Sequence, residues 1–255
     1  MCIRDRVSIG IFTACIVFPV SILLDGSLTK IERDRIFVIY IIAFFVIFFW
    51  AAYEQAGASL TLFAAEQTDR TILGWEMPAS WIQSFNPFFV VILAAIMPSV
   101  WGALNKRGME PTSPTKQAIG LLLLSLGYLV ICFGVKDVQP GVKVSLIWLT
   151  GLYFIHTMGE IALSPIGLSM VNKLTPVRFA SLMMGIWYLA TSTANKFAGT
   201  LGGLYPEDGK VKTLLGFRIE TMFDFFMVFV IMSGVASLIL FLLSKKLQKM
   251  MHGVE

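Results

Sequence analysis

The sequence predicts an all-α membrane protein, six transmembrane helices in one bundle preceded by one further apolar helix. Three observations lead there. Of 255 residues, 56% are hydrophobic before the 21 glycines are counted. Charged residues make up only 14%, against about 25% in ordinary globular domains. The mean hydropathy is +0.77, and the apolar residues are gathered into long uncharged runs. This composition excludes a disordered chain and an ordinary soluble enzyme. The net charge of +4 does not indicate nucleic acid, because the Lys and Arg are scattered in short clusters between the runs, as loop charges are. Cys2, Cys15 and Cys132 have no metal-ligand or disulfide-framework spacing, so neither a metal site nor a disulfide is expected.

Uncharged runs cover 7–24, 36–53, 77–105, 117–135, 144–159, 179–195 and 225–244. Each is near the roughly 20 residues a helix needs to cross about 30 Å of hydrocarbon. Three continue past a single charge: Glu54 into 55–65, Glu160 into 161–172 and Lys196 into 197–206. Six spans from Ile36 onward follow. The run 7–24 carries Pro19 and succeeds a polar start with Arg4 and Arg6. It is too long for a signal-peptide core and has no small-residue cleavage site, so it reads as a truncated helix of a longer protein. The expected organisation is 1–35 as this helix with a linker, 36–250 as the bundle and 251–255 as a tail.

Lys and Arg in alternate loops give the orientation. Eleven fall in 25–35, 106–116, 173–178 and 245–249, against six at Arg70, 136–143 and 210–218. The excess places the first set, and the C-terminus, in the cytoplasm of an inner membrane.

The runs 117–135 and 225–244 lack ionisable side chains and are expected to face lipid. The other four carry polar stripes, and ionisable groups in hydrocarbon cost at least about 2.5–3.5 kcal/mol each unless they face protein or a wet cavity. Trp50, Glu54, Gly57, Ala58 and Thr61 share one helical face. So do Tyr153, His156, Thr157, Glu160, Ser164 and Gly167. Gln83, Asn86 and Pro87 mark a third helix, and Trp187, Thr191 and Asn195 a fourth. At about 1.5 Å per residue, Asn86 lies ~12 Å below a start near Pro78, Glu160 ~24 Å below Val144, and Trp187 ~14 Å in from Arg178. Four stripes at such depths suggest a shared aqueous chamber, as in secondary transporters.

The stretches FFWAAYEQAGASLTLFA (48–64), WIQSFNPFFV (81–90), HTMGEIALSPIGLSMVNKLTP (156–176) and MMGIWYLATSTANKFAG (183–199) resemble the proton-dependent oligopeptide transporters of the major facilitator superfamily. The likeness spans Thr29 to about Leu247. It implies the C-terminal six-helix half of that fold, with 7–24 similar to an extra helix that bacterial members carry between their halves. It also implies that Glu160 receives the peptide's α-amino group with Asn86 beside it. Trp50 and Trp187 would be aromatic pocket walls, Glu54 a gate carboxylate, and Thr191 a pocket hydroxyl. The implied partners are short peptides, protons, the lipid bilayer and the absent N-terminal half, with no nucleic acid. No cofactor is expected, a proton gradient being the driving force. Half a site of this kind is expected not to transport alone.

The residues agree with those roles. A peptide ammonium stripped of water needs a fixed carboxylate and a neutral acceptor, which Glu160 and the Asn86 oxygen supply. A carboxylate whose partner comes and goes can exchange a proton, which makes Glu54, Glu160 and, one turn from Glu160, His156 the coupling candidates. The alternative for each glutamate is a packing pair with another helix, and for His156 a hydrogen bond to a neighbouring helix. Lys196 reads as a snorkelling side chain. HTMGE is not HExxH, so a zinc protease is excluded. Gly199 and Gly203 form a small-xxx-small pair, and Pro87, Pro98 and Pro165 are candidate kinks. Alternatives kept open are a same-family transporter of nitrate or another small solute, a sensor or scaffold without transport, and an intramembrane acid–base enzyme. The last lacks a nucleophile motif, Ser164 before Pro165 reading as a helix-bending element.

Overall fold

The computed structural model describes residues 3–136, 138, 141–206 and 211–254, with side chains from residue 8 onward. Cys2 and Lys210, and the side chains of Arg4 and Arg6, lie outside this description. Eight α-helices are described: α1 Ile3–Leu23, α2 Lys30–Tyr53, α3 Ser59–Glu66, α4 Phe85–Lys106, α5 Ser113–Val135, α6 Leu146–Leu174, α7 Ala180–Gly202 and α8 Met222–Met250. Five segments are long and apolar enough to cross a membrane: Lys30–Glu66, Ala79–Lys106, Ser113–Val135, Leu146–Leu174 and Met222–Met250. At about 1.5 Å per residue α7 is also long enough, but Thr191, Ser192, Thr193, Asn195 and Lys196 make it less apolar. The result is an all-α membrane protein of one preceding helix and six further long crossings.

Two helices begin in polar sequence, outside their apolar runs, because capping boxes start them. Thr29 accepts from the Glu32 backbone while Glu32 reaches back, and Thr221 and Asp224 do the same for α8. Alternate connections gather at opposite ends. At one end Arg178 donates to the Ser27 carbonyl at 3.1 Å and pairs with Glu32 at 3.0 Å. There too Arg35 donates to the carbonyls of Met251 and His252, and His252 lies 2.9 Å from Asp34. At the other, Thr68–Asp69 pairs in parallel with Val144–Ser145, two short hairpins fold locally, and the Tyr205 hydroxyl meets Glu66 at 3.3 Å.

The structure corrects three expectations about packing. First, α5 is not a lipid-facing helix. It lies between α6 and α8 and also touches α2, with Leu121, Leu124, Tyr128 and Ile131 fully buried. Ser125 donates to the Val230 carbonyl at 2.8 Å, and Ser237 of α8 donates back to the Ala118 carbonyl at 2.8 Å. Lack of charge says nothing of which side a helix faces, and glycines decide it here. A Cβ added to Gly120, Gly127 or Gly134 would meet Leu163 at 2.8 Å, His156 at 2.3 Å or Trp148 at 2.5 Å, so one residue in seven lets α6 approach closely. The outward expectation fits α8, which exposes Ile231, Val235, Leu238, Phe241 and Leu242.

Second, Gly199 makes no close approach, its added Cβ meeting nothing within 4 Å, whereas a Cβ added to Gly202 would come 3.3 Å from Gln55 Oε1. Third, the helix through Glu54 is not continuous: α2 stops at Tyr53, a 3-10 turn covers Glu54–Gly57, and α3 starts at Ser59. The break survives in a membrane span because side chains replace the lost backbone partners. The Tyr128 hydroxyl donates to the Ala52 carbonyl at 2.7 Å. Gln55, fully buried, donates to the carbonyls of Ala51 at 3.1 Å and Ala198 at 3.0 Å, and accepts from Ser59 at 2.7 Å. The helix of Asn86 also begins late. A 3-10 segment Ala79–Ser84 precedes α4, so Pro87 lies in its first turn, where its missing N–H has no intrahelical partner to lose.

Candidate functional site

The break in α2, the first turn of α4 and the middle of α6 bring three side chains together. Tyr53, the last residue of α2, donates its hydroxyl to Glu160 Oε2 at 2.5 Å. The Asn86 amide donates to the same oxygen at 2.9 Å and to Thr157 Oγ1 at 3.2 Å, and also to the Tyr53 hydroxyl. Thr157 spends its own proton on the Tyr153 carbonyl at 2.7 Å, so its lone pair faces Asn86.

The direction of these bonds follows from the groups. Asn86 presents its NH2 to Glu160 Oε2, the orientation that suits a carboxylate oxygen as acceptor. That leaves Asn86 Oδ1 and Glu160 Oε1 without a hydrogen-bond partner among the described residues, on two half-buried side chains. A carboxylate oxygen and an amide oxygen without partners are the kinds of acceptor that suit a cationic amine with N–H groups to donate.

The other expected site residues are less uniformly gathered. Glu54 is exposed at the start of the 3-10 turn and lies within electrostatic range of Glu160. Trp50 is half-buried and meets the Tyr53 ring edge-on at 5.4 Å. Thr191 is half-buried on α7 and joins none of these hydrogen bonds. Trp187 does not stand as an open wall. It is 6% exposed, its ring tip filling the space over Gly167, where a Cβ would come within 2.6 Å.

His156 corrects the proton-relay expectation. It is 3% exposed, places Nε2 3.1 Å from the Leu124 carbonyl and packs 4.7 Å from the Tyr128 ring. A ring nitrogen facing a carbonyl must donate, which fixes its proton in the α5–α6 seam. This is the geometry of the packing alternative. Conversely, the sequence reading passed over Tyr53. Its signal was present: Tyr53 is three residues after Trp50 and falls in the same helical stripe. Among the described residues no group of three or more His, Cys, Asp or Glu could hold a metal.

Comparison with known proteins agrees with this architecture. The POT family profile matches residues 11–217, and the chain belongs to that family of integral membrane proteins. It is 37% identical over 185 residues to Peptide transporter YePEPT of Yersinia enterocolitica, covering 72% of this chain and 36% of that protein. It is 30% identical over 218 residues to Dipeptide and tripeptide permease A of Escherichia coli, covering 86% of this chain and 43% of the relative. The crystal structure of peptide transporter POT in complex with sulfate matches with a TM-score of 0.85 at 28% identity, over 99% of this chain and 49% of that one. The chain therefore spans less than half the length of these relatives, the matched part being their C-terminal half. The relatives are transporters, not enzymes, which removes the intramembrane-enzyme alternative.

Proposed function

We propose that this chain supplies the half-site that binds the amino terminus of di- and tripeptides in a proton-coupled symporter working by alternating access. The observation that carries this reading is the pair of open acceptors, Glu160 Oε1 and Asn86 Oδ1. In this reading a second, N-terminal half closes the cavity and holds the peptide carboxylate. Glu54, exposed beside Glu160, is the gate carboxylate, and exchange of a proton at Glu54 or Glu160 as their partners change couples transport to the gradient. Trp50 and Thr191 contribute pocket surface. No cofactor takes part. The excess of Lys and Arg at the end holding 25–35 and 245–249 supports a C-terminus in the cytoplasm of an inner membrane.

Proton-driven dipeptide uptake in vesicles containing the full-length protein tests this. Glu160→Gln is expected to lower uptake by on the order of 100-fold and Glu54→Gln to uncouple or abolish it. Normal uptake in both variants overturns the assignment.

A further inference from the structure

We propose that the Tyr53 hydroxyl is a positioning group that aims the Glu160 carboxylate at the substrate amine, and so sets the preference for an unsubstituted amino terminus. This rests on the reading of Glu160 and Asn86 as the amine site.

A glutamate side chain has several rotatable bonds, and a half-buried one with a single contact would sample several rotamers. Here two donors converge on one oxygen: the Tyr53 hydroxyl at 2.5 Å and the Asn86 amide at 2.9 Å. With Oε2 pinned, Oε1 and Asn86 Oδ1 are left without a partner among the described residues. Tyr53 ties the two side chains together, because its oxygen accepts from the Asn86 amide while its proton goes to Glu160. The phenol is a firm anchor. Its ring is stacked on Phe49 at 5.5 Å with 17° between planes and held edge-on by Trp50 at 5.4 Å. It also ends α2 where Tyr128 and Gln55 secure the break. Glu160 is therefore oriented by another helix rather than by its own.

Tyr53→Phe keeps the ring and its packing but removes both bonds of the hydroxyl, leaving the Asn86 amide to hold the carboxylate and making it easier for the carboxylate to turn from the amine. A substrate that does not use the carboxylate should not register the change. The experiment uses the full-length transporter carrying this sequence. It measures competition by alanyl-alanine and by N-acetyl-alanyl-alanine for wild type, Tyr53→Phe and Glu160→Gln, with the maximal rate of alanyl-alanine uptake.

In Tyr53→Phe the half-saturation for alanyl-alanine should rise about 10-fold, the usual effect of one hydrogen bond to a charged group. The maximal rate should stay within about 2-fold and competition by the acetylated peptide should be unchanged. Replacing Tyr53 alone by a fluorotyrosine, which keeps the shape and alters only donor strength, should likewise move the free-amine value and not the acetylated one. Equal weakening of both peptides, or no change in their ratio while Glu160→Gln erases it, overturns the role of Tyr53 alone. If Glu160→Gln also leaves the ratio intact, the amine-site reading itself fails.

Discussion

Two polar side chains one helical turn apart on α6, one turned toward α5 and the other toward α2 and α4, are treated in opposite ways. On the face toward α5, His156 gives its ring nitrogen to the Leu124 carbonyl and fills the notch over Gly127. Nearby Ser125 is likewise closed onto the Val230 carbonyl, Gln117 Oε1 being an exception without a partner. On the face toward α2 and α4, Glu160 takes two donors on one oxygen and leaves the other open, as Asn86 leaves its carbonyl oxygen. Polarity within a membrane span is therefore an insufficient sign of function. Unused hydrogen-bonding capacity is the better one, because burying it empty is unfavourable unless water or a ligand fills it.

Substitutions on the two faces should separate accordingly. The largest effect is expected at Glu160. Glu160→Gln should lower the specificity of dipeptide uptake by on the order of 100-fold, the upper range for a bond between charged groups, with little change in thermal stability. Asn86→Ala should raise the half-saturation for free-amine peptides by about 10-fold. On the other face the order inverts. Gly127→Ala would place a Cβ 2.3 Å from the His156 ring and should destabilise the fold by about 1–3 kcal/mol. Thermal melting in detergent would show this, and His156→Ala in the same chain should partly restore it. His156→Ala alone should lower the melting midpoint and leave the pH profile of uptake unchanged. A shifted profile would return His156 to the proton path.

The smallest effect should come from the loop that joins α4 to α5. There the Lys116 hydrogen bond and charge hold the Glu110 carboxyl below its ordinary range. A carboxyl so depressed contributes stability above that ordinary range and loses it as pH falls through its lowered value. Because Glu110 is exposed to solvent, Glu110→Gln should change the melting midpoint only marginally at neutral pH and not at all in strong acid.

The spans were legible because hydropathy is a one-dimensional signal and each run had the length of a bilayer. Their starts at Thr29 and Thr221 were visible only as capping boxes. The break after Tyr53 was not legible, since its stabilising partners, Tyr128 and Ala198, are distant in sequence. The facing of α5 depended on glycines repeating every seven residues, a pattern that composition conceals. Glu160 and Asn86 stand out in the sequence because polar groups in apolar runs are conspicuous. Tyr53 was missed because an aromatic ring suits hydrocarbon whether or not its hydroxyl is used. The burial of Trp187 was not legible because it depends on Gly167 of another helix.

The most direct test is a distance. In the full-length protein in lipid, solid-state NMR between a dipeptide's 15N-labelled amino group and a 13C-labelled Glu160 carboxyl carbon should give about 4 Å or less, the separation of a charge-assisted hydrogen bond. A separation beyond about 6 Å with the peptide bound, too long for such a bond, would contradict the claim that Glu160 grips the amine.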